Sequence, residues 1–294
     1  MAIYDGEKLA SESLLEVAKL CILAASKAPR ITGFKVYKAE VITGEDLLPI
    51  IRVAEALAEV RKDDVGKGLA LADGAVLKAA YDLDGGNSVV MVLFGDLTTR
   101  SELNWNCGAC GFSTCAEFNK RSLEVEKIQE DNIAQPGPNC IWKAMDFDCA
   151  VCWAALCAWD HNVENRLFSS LGRYAKQVGY LEDTANPVAL LLGPLTDCWY
   201  YNRPALRGKW TPKDIKEFQF RVMPYFFEAF VGTYDPLFRY DALKFGKDPM
   251  RLRLEPLSST EPDRAERMKT ANEKIKKIRE EVLSKQGRKI KNKI

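Results

Sequence analysis

The chain has almost no surplus of either charge: 42 Lys and Arg stand against 41 Asp and Glu, a formal net of +1. A molecule so balanced has no global field to draw it onto nucleic acid or an anionic membrane. It also lacks long apolar runs. The longest, such as Cys149–Trp159, are about ten residues, far short of the roughly 20 that a membrane-spanning helix needs. The opening MAIYDGEKLASES has neither a basic n-region nor an apolar h-region, so a soluble cytoplasmic protein is expected. No internal repeat at solenoid period is found.

What is present in excess is cysteine. Nine thiols in 294 residues need a reason, and a disulfide framework is the wrong one. The count is odd, the chain is large, and no export signal is read. Metal or cluster ligation is the better expectation. With 47% hydrophobic residues, one large core with appendages is expected.

The layout reads as α+β. Ser13-Leu-Leu-Glu16 is a capping-box pattern, with Leu14, Val17, Cys21, Ala24 and Ala25 at helical spacing up to Ala28-Pro29. Phe34, Val36, Ala39 and Val41 suggest a strand, and Thr43-Gly-Glu-Asp46 opens a second helix. Asn87–Phe94 (NSVVMVLF) suits a strand buried on both faces. Beyond a cysteine-rich segment, 104–140, two apolar helices are expected over Ala144–Trp159 and Val163–Val178, then a strand at Val188–Leu192. Thr211-Pro-Lys-Asp214 starts another helix. A proline-punctuated aromatic arm follows, and a last helix carries Met268, Ala271, Ile275, Ile278 and Val282 on one stripe. Arg264–Ile294 holds twelve Lys/Arg against four Glu, which reads as a solvated basic face rather than a nucleic-acid surface.

The chemistry concentrates in Asn106-Cys107-Gly-Ala-Cys110-Gly-Phe-Ser-Thr-Cys115. Cluster iron takes four thiolates, and a short loop supplies three only if its backbone turns sharply between them. Gly108 and Gly111 each follow a cysteine, permitting positive φ and close approach of amides to sulfur. Gly137-Pro138-Asn139-Cys140 fits as the source of the fourth ligand. A tetrahedral zinc site is the main alternative, although zinc usually pairs two knuckles rather than a three-plus-one set. Unligated thiols are the other.

Cys149, Cys152 and Cys157 repeat the spacing C-x2-C-x4-C, which with Cys198 suggests a second cluster. Glycines are missing there and the intervening residues are helical. At about 100° per residue the third thiol lies about 140° round from the second, so the three do not converge. Packing cysteines are expected instead. The lone His161, at the joint between two helices, is read as a capping or packing residue before a proton donor.

The cysteine motif, Cys140, Asp146, His161-Asn-Val-Glu-Asn-Arg166, Gly172 and Ala175 resemble a ferredoxin-domain family of anaerobic archaea and bacteria. That family combines a nitroreductase-like body with a [4Fe–4S] insert. Ala24-Ala-Ser-Lys-Ala-Pro29 with Val36–Glu45, and Leu192–Leu195 to Asn202-Arg203, extend the resemblance over residues 10–203. It implies helices around a small sheet with the insert at 104–140, leaving 204–294 as a proline-rich arm and basic terminal helix. It further implies an FMN-type pocket beside the cluster, often at a homodimer interface, with Lys27, Arg30, Lys35 and Arg203 as the available phosphate cations. The expected function is an electron-transfer protein or oxidoreductase component that relays electrons to a flavin or a redox partner protein in an oxygen-poor cytoplasm. An autonomous nitro- or ene-type flavin reductase and a structural metal clip are the alternatives.

Overall fold

The computed structural model describes residues 3–60, 64–128, 137–193 and 264–287. Among these described residues, four strands make one antiparallel sheet in the order β1-β2-β4-β3: β1 (Tyr37–Thr43), β2 (Val90–Asp96), β3 (Asn165–Phe168) and β4 (Val188–Leu192). All seven residues of β2 are buried, because helices cover both faces of the sheet. The side-chain period of two sorts the strands between two cores. Met91, Leu93, Ala189 and Leu191 enter one core, against α2 (Leu48–Glu59), α3 (Asp64–Asp82), α6 (Ser169–Gln177) and α7 (Arg264–Lys285). Val90, Val92, Phe94, Leu190 and Leu192 enter the other, against α1 (Gly6–Lys27) and α5 (Ile141–Asp160). Helix α4 (Cys115–Ile128) belongs to the cysteine segment. The architecture is α+β, as the pattern of apolar runs implied.

Several local expectations are corrected. Helix α1 starts at Gly6, where Asp5 Oδ1 accepts from Glu7 N and Lys8 N at 2.9 and 3.2 Å. The Ser13 hydroxyl does not cap; it bonds back to the Leu9 carbonyl at 2.7 Å. Phe34 is exposed and precedes β1. The single helix expected over Val163–Val178 divides. Asn162 turns the chain with φ 54°, and Asn165–Phe168 then pair with β4 before α6 begins. Pairing outweighs the helical pattern because it satisfies the backbone groups on that side of β4. Gly172 in α6 has a packing reason: a Cβ there would collide with the Pro187 carbonyl.

The apolar stripe of α7 buries Ile275, Ile278 and Val282 in the same core as α2, and Ala271 is buried as well. Arg52–Glu281, Lys274–Glu59 and Arg279–Glu182 pair along its rim. Several of its charges thus face partners on the chain's own helices. The Thr211 helix, the aromatic arm, Cys198 and Arg203 lie outside the described residues.

Candidate functional site

The site grows from the end of β2. Buried Asp96 accepts from Asn186 N at 2.8 Å and from the Thr98 hydroxyl at 2.8 Å. The Thr98 carbonyl accepts from Cys140 N at 2.9 Å, which fixes Cys140 at the N-cap of α5 beside the strand end. One turn into α5, buried Lys143 donates to the Arg100 carbonyl (2.7 Å) and Glu102 Oε2 (3.0 Å). From α4, Asn119 brackets Ser101, accepting from its N–H and donating to its carbonyl at 2.8 Å each. The loop between β2 and α4 is therefore anchored to both helices.

Within that loop the backbone turns where the sequence allows it. Gly108 and Gly111 take φ of 73° and 83°, and Asn104 and Asn106 take 53° and 49°. Glycine occupies such angles without penalty and asparagine tolerates them. Gly111 N bonds the Gly108 carbonyl at 2.9 Å, closing the turn between Cys107 and Cys110. Asn106 Oδ1 accepts from Cys115 N at 2.9 Å, linking the first and third cysteines. Helix α4 opens on a reciprocal capping box. Thr114 Oγ1 accepts from Glu117 N at 3.1 Å, while Glu117 Oε2 accepts from Ser113 N and Thr114 N at 3.1 and 3.3 Å.

Cys107, Cys110, Cys115 and Cys140 all line one pocket, which they share with Phe112, Phe118, Trp105 and Trp142. Exposure falls from Cys107, which faces solvent, through half-buried Cys110 and Cys115, to buried Cys140. Donors converge on two of the sulfurs. The Ala109 N–H, followed by the Trp142 indole at 3.2 Å, holds the Cys107 thiol below its ordinary pKa. The Asn106 N–H does the same for Cys115, with help from the Ser101 hydroxyl at 3.7 Å and against partial burial. Both groups are thereby biased toward the thiolate that binds metal.

Among the described residues no three His, Cys, Asp or Glu side chains gather as a single metal ion would require. A zinc ion holds its thiolates about 2.3 Å from one point. The four thiols of this pocket are the donor type that a zinc ion and an iron–sulfur cluster both take.

The expected flavin cations are placed differently. Arg30 donates to the Ser26 carbonyl at the end of α1, Lys35 lies 4.9 Å from the Tyr37 ring centroid, and Lys27 is exposed in the last turn of α1. Their loop is held by buried Asp146, which accepts from Ile31 N and Thr32 N at 2.6 and 2.9 Å. Arg30 and Lys35 thus contact the chain's own groups, while Lys27 is exposed. His161 sits at the C-cap of α5, with its N–H on the Cys157 carbonyl at 3.2 Å.

The second triplet lies on α5, as its helical residues implied. Cys152 is exposed, while Cys157 reaches the Cys21 thiol in α1; burial, reinforced by Cys157, pushes Cys21 up to about 12. Sequence reasoning missed Trp142, Lys143 and the Thr114–Glu117 box. Only the box had a legible signal, the spacing Thr-x-x-Glu.

Residues 136–192 match a family model described as "uncharacterized protein containing a ferredoxin domain (DUF2148)". The matched segment runs from before Cys140 through α5, β3 and α6 to the end of β4. An uncharacterized protein of Archaeoglobus fulgidus is 24% identical over 178 residues, covering 60% of this chain and 82% of that protein. No solved structure matches the chain. Among the described residues no helix is long and apolar enough to cross a membrane.

Proposed function

We propose that Cys107, Cys110, Cys115 and Cys140 hold a [4Fe–4S] cluster and that the protein relays single electrons, as an electron-transfer protein or oxidoreductase component. The observation that carries this reading is one pocket lined by all four thiols, three of them on a loop with glycines at positive φ. When bound, such a cluster supplies one-electron transfer. The chain's own contribution is to pre-set the ligands. Thr98 and Lys143 fix Cys140 and the loop against α5, Asn106, beside Cys107, accepts from Cys115 N, and the rings of Phe112 and Phe118 line the pocket with the thiols. Cys107 and Trp105 at the exposed rim leave one edge open to a redox partner. The ferredoxin-domain description of the matched family supports the same class.

A nitroreductase-like body with its own flavin is the second half of the resemblance over residues 10–203. We derive no step through a flavin, because Arg30 and Lys35 are engaged elsewhere. The test is purification without oxygen, followed by assay of iron, acid-labile sulfide, zinc and heat-released flavin. Brown protein with roughly four iron and four sulfide per chain is expected. Zinc in their place, with a colour indifferent to Cys140→Ala, defeats the proposal.

A further inference from the structure

We infer that Trp142 is a positioning residue for the cluster site, whose indole N–H raises the site's reduction potential by donating to Cys107 Sγ. The inference rests on the cluster reading above and deepens it. Trp142 follows Cys140 by two residues, so the helix that delivers the buried fourth thiol also delivers this donor to the most exposed one. Nε1 stands 3.2 Å from Cys107 Sγ. The ring is held edge-on against Trp105, with centroids 6.4 Å apart and planes at 61°. Trp105 is in turn set between Asn104 and Asn106, both at positive φ.

An indole has one donor and no acceptor, so this bond can run only toward sulfur. The Ser101 hydroxyl stands farther from its sulfur, at 3.7 Å from Cys115 Sγ, and also accepts from Leu103 N. Reduction adds one electron to a cluster and its thiolates, with no bond made or broken. The added negative charge strengthens any N–H···S bond, so a fixed donor favours the reduced state and raises the potential. The indole also stands at the solvent-facing thiol, where water would otherwise compete.

The test compares anaerobically prepared wild type, Trp142→Phe and Trp105→Phe. Iron and sulfide are assayed first, then each potential is read by dithionite titration with redox mediators and electron paramagnetic resonance. The expected result is unchanged iron and sulfide in Trp142→Phe, with a potential shifted to more negative values and little shift in Trp105→Phe. A loaded Trp142→Phe protein at the wild-type potential overturns the inference, as does an equal shift in Trp105→Phe. If Trp142→Phe loses iron, replacing Trp142 by benzothienylalanine keeps the ring shape, removes the N–H, and must give the same negative shift. Wild type that takes up no iron or sulfide overturns the cluster reading itself, and this inference with it. A loaded wild type with an unshifted variant overturns only the role of Trp142.

Discussion

Two stretches of this chain share the spacing C-x2-C-x4-C and have opposite fates. In Cys107, Cys110 and Cys115 the residues between are glycine-rich, the backbone turns twice through positive φ, and all three thiols face one pocket. In Cys149, Cys152 and Cys157 the residues between are helix formers, and the thiols spread around α5. Cys152 meets solvent while Cys157 turns inward to Cys21. Spacing alone therefore does not bring thiols to one pocket. The conformation of the residues between them does.

The comparison breaks or holds on the thiols themselves. Cys115→Ala is expected to abolish the brown colour and most of the roughly four iron per chain, whereas Cys152→Ala leaves both unchanged; iron and sulfide assays decide. If the two variants behave alike, the distinction between loop and helix fails.

The next effect comes from the backbone between the thiols. Gly111→Val forces a β-branched residue to φ 83°, at about 1–2 kcal/mol of strain, and should lower cluster loading. Ala155→Gly within the second triplet should cost about 1 kcal/mol of helix stability and leave loading untouched. Urea unfolding midpoints and iron content, measured on the same preparations, separate the two. Glycine is needed in one stretch and harmful in the other.

A smaller effect is confined to alkaline pH. Cys21 is raised from 9.0 to about 12 by burial and by Cys157, so the unfolded chain releases this proton more readily than the folded one. Stability from this group is full below about pH 9 and is lost as pH rises toward about 12. Cys21→Ala should flatten that decline. Urea midpoints at about pH 8 and about pH 10.5, compared between the two proteins, read the difference.

The smallest effect concerns the start of α4. Thr114→Ala removes the acceptor for Glu117 N and should cost about 1 kcal/mol, read as a lower Tm. Ser13→Ala should cost much less, since Ser13 caps nothing and α1 starts at Asp5.

Much of the fold was legible because its short apolar runs had only one way to be buried. NSVVMVLF needed cover on both faces and found it as β2, second in the sheet. Helices α1, α2 and α5 were visible as periodic patterns, although the true start of α1 lay at an aspartate whose capping role only its backbone contacts reveal. Strand β3 was not legible. Asn165–Phe168 has no strong pattern of its own and becomes a strand by pairing with β4. The stripe of α7 was visible but its partner was not, since nothing in residues 264–285 points to α2.

The site divides along the same line. Local sequence determined that Cys107, Cys110 and Cys115 sit on a tight loop and that Cys149, Cys152 and Cys157 sit on a helix, because φ preference and helical periodicity act over neighbouring residues. The Gly-Pro-Asn-Cys context named Cys140 as the expected fourth thiol, but tertiary structure places it on the same pocket as the first three, with its N–H on the Thr98 carbonyl at the end of β2. It also placed the Trp142 indole on Cys107 and the buried Lys143 ammonium on the loop carbonyl of Arg100. Those contacts link residues more than thirty positions apart. They exist because α5 docks against the sheet with its N-terminus at the strand end, a packing event that no local spacing encodes.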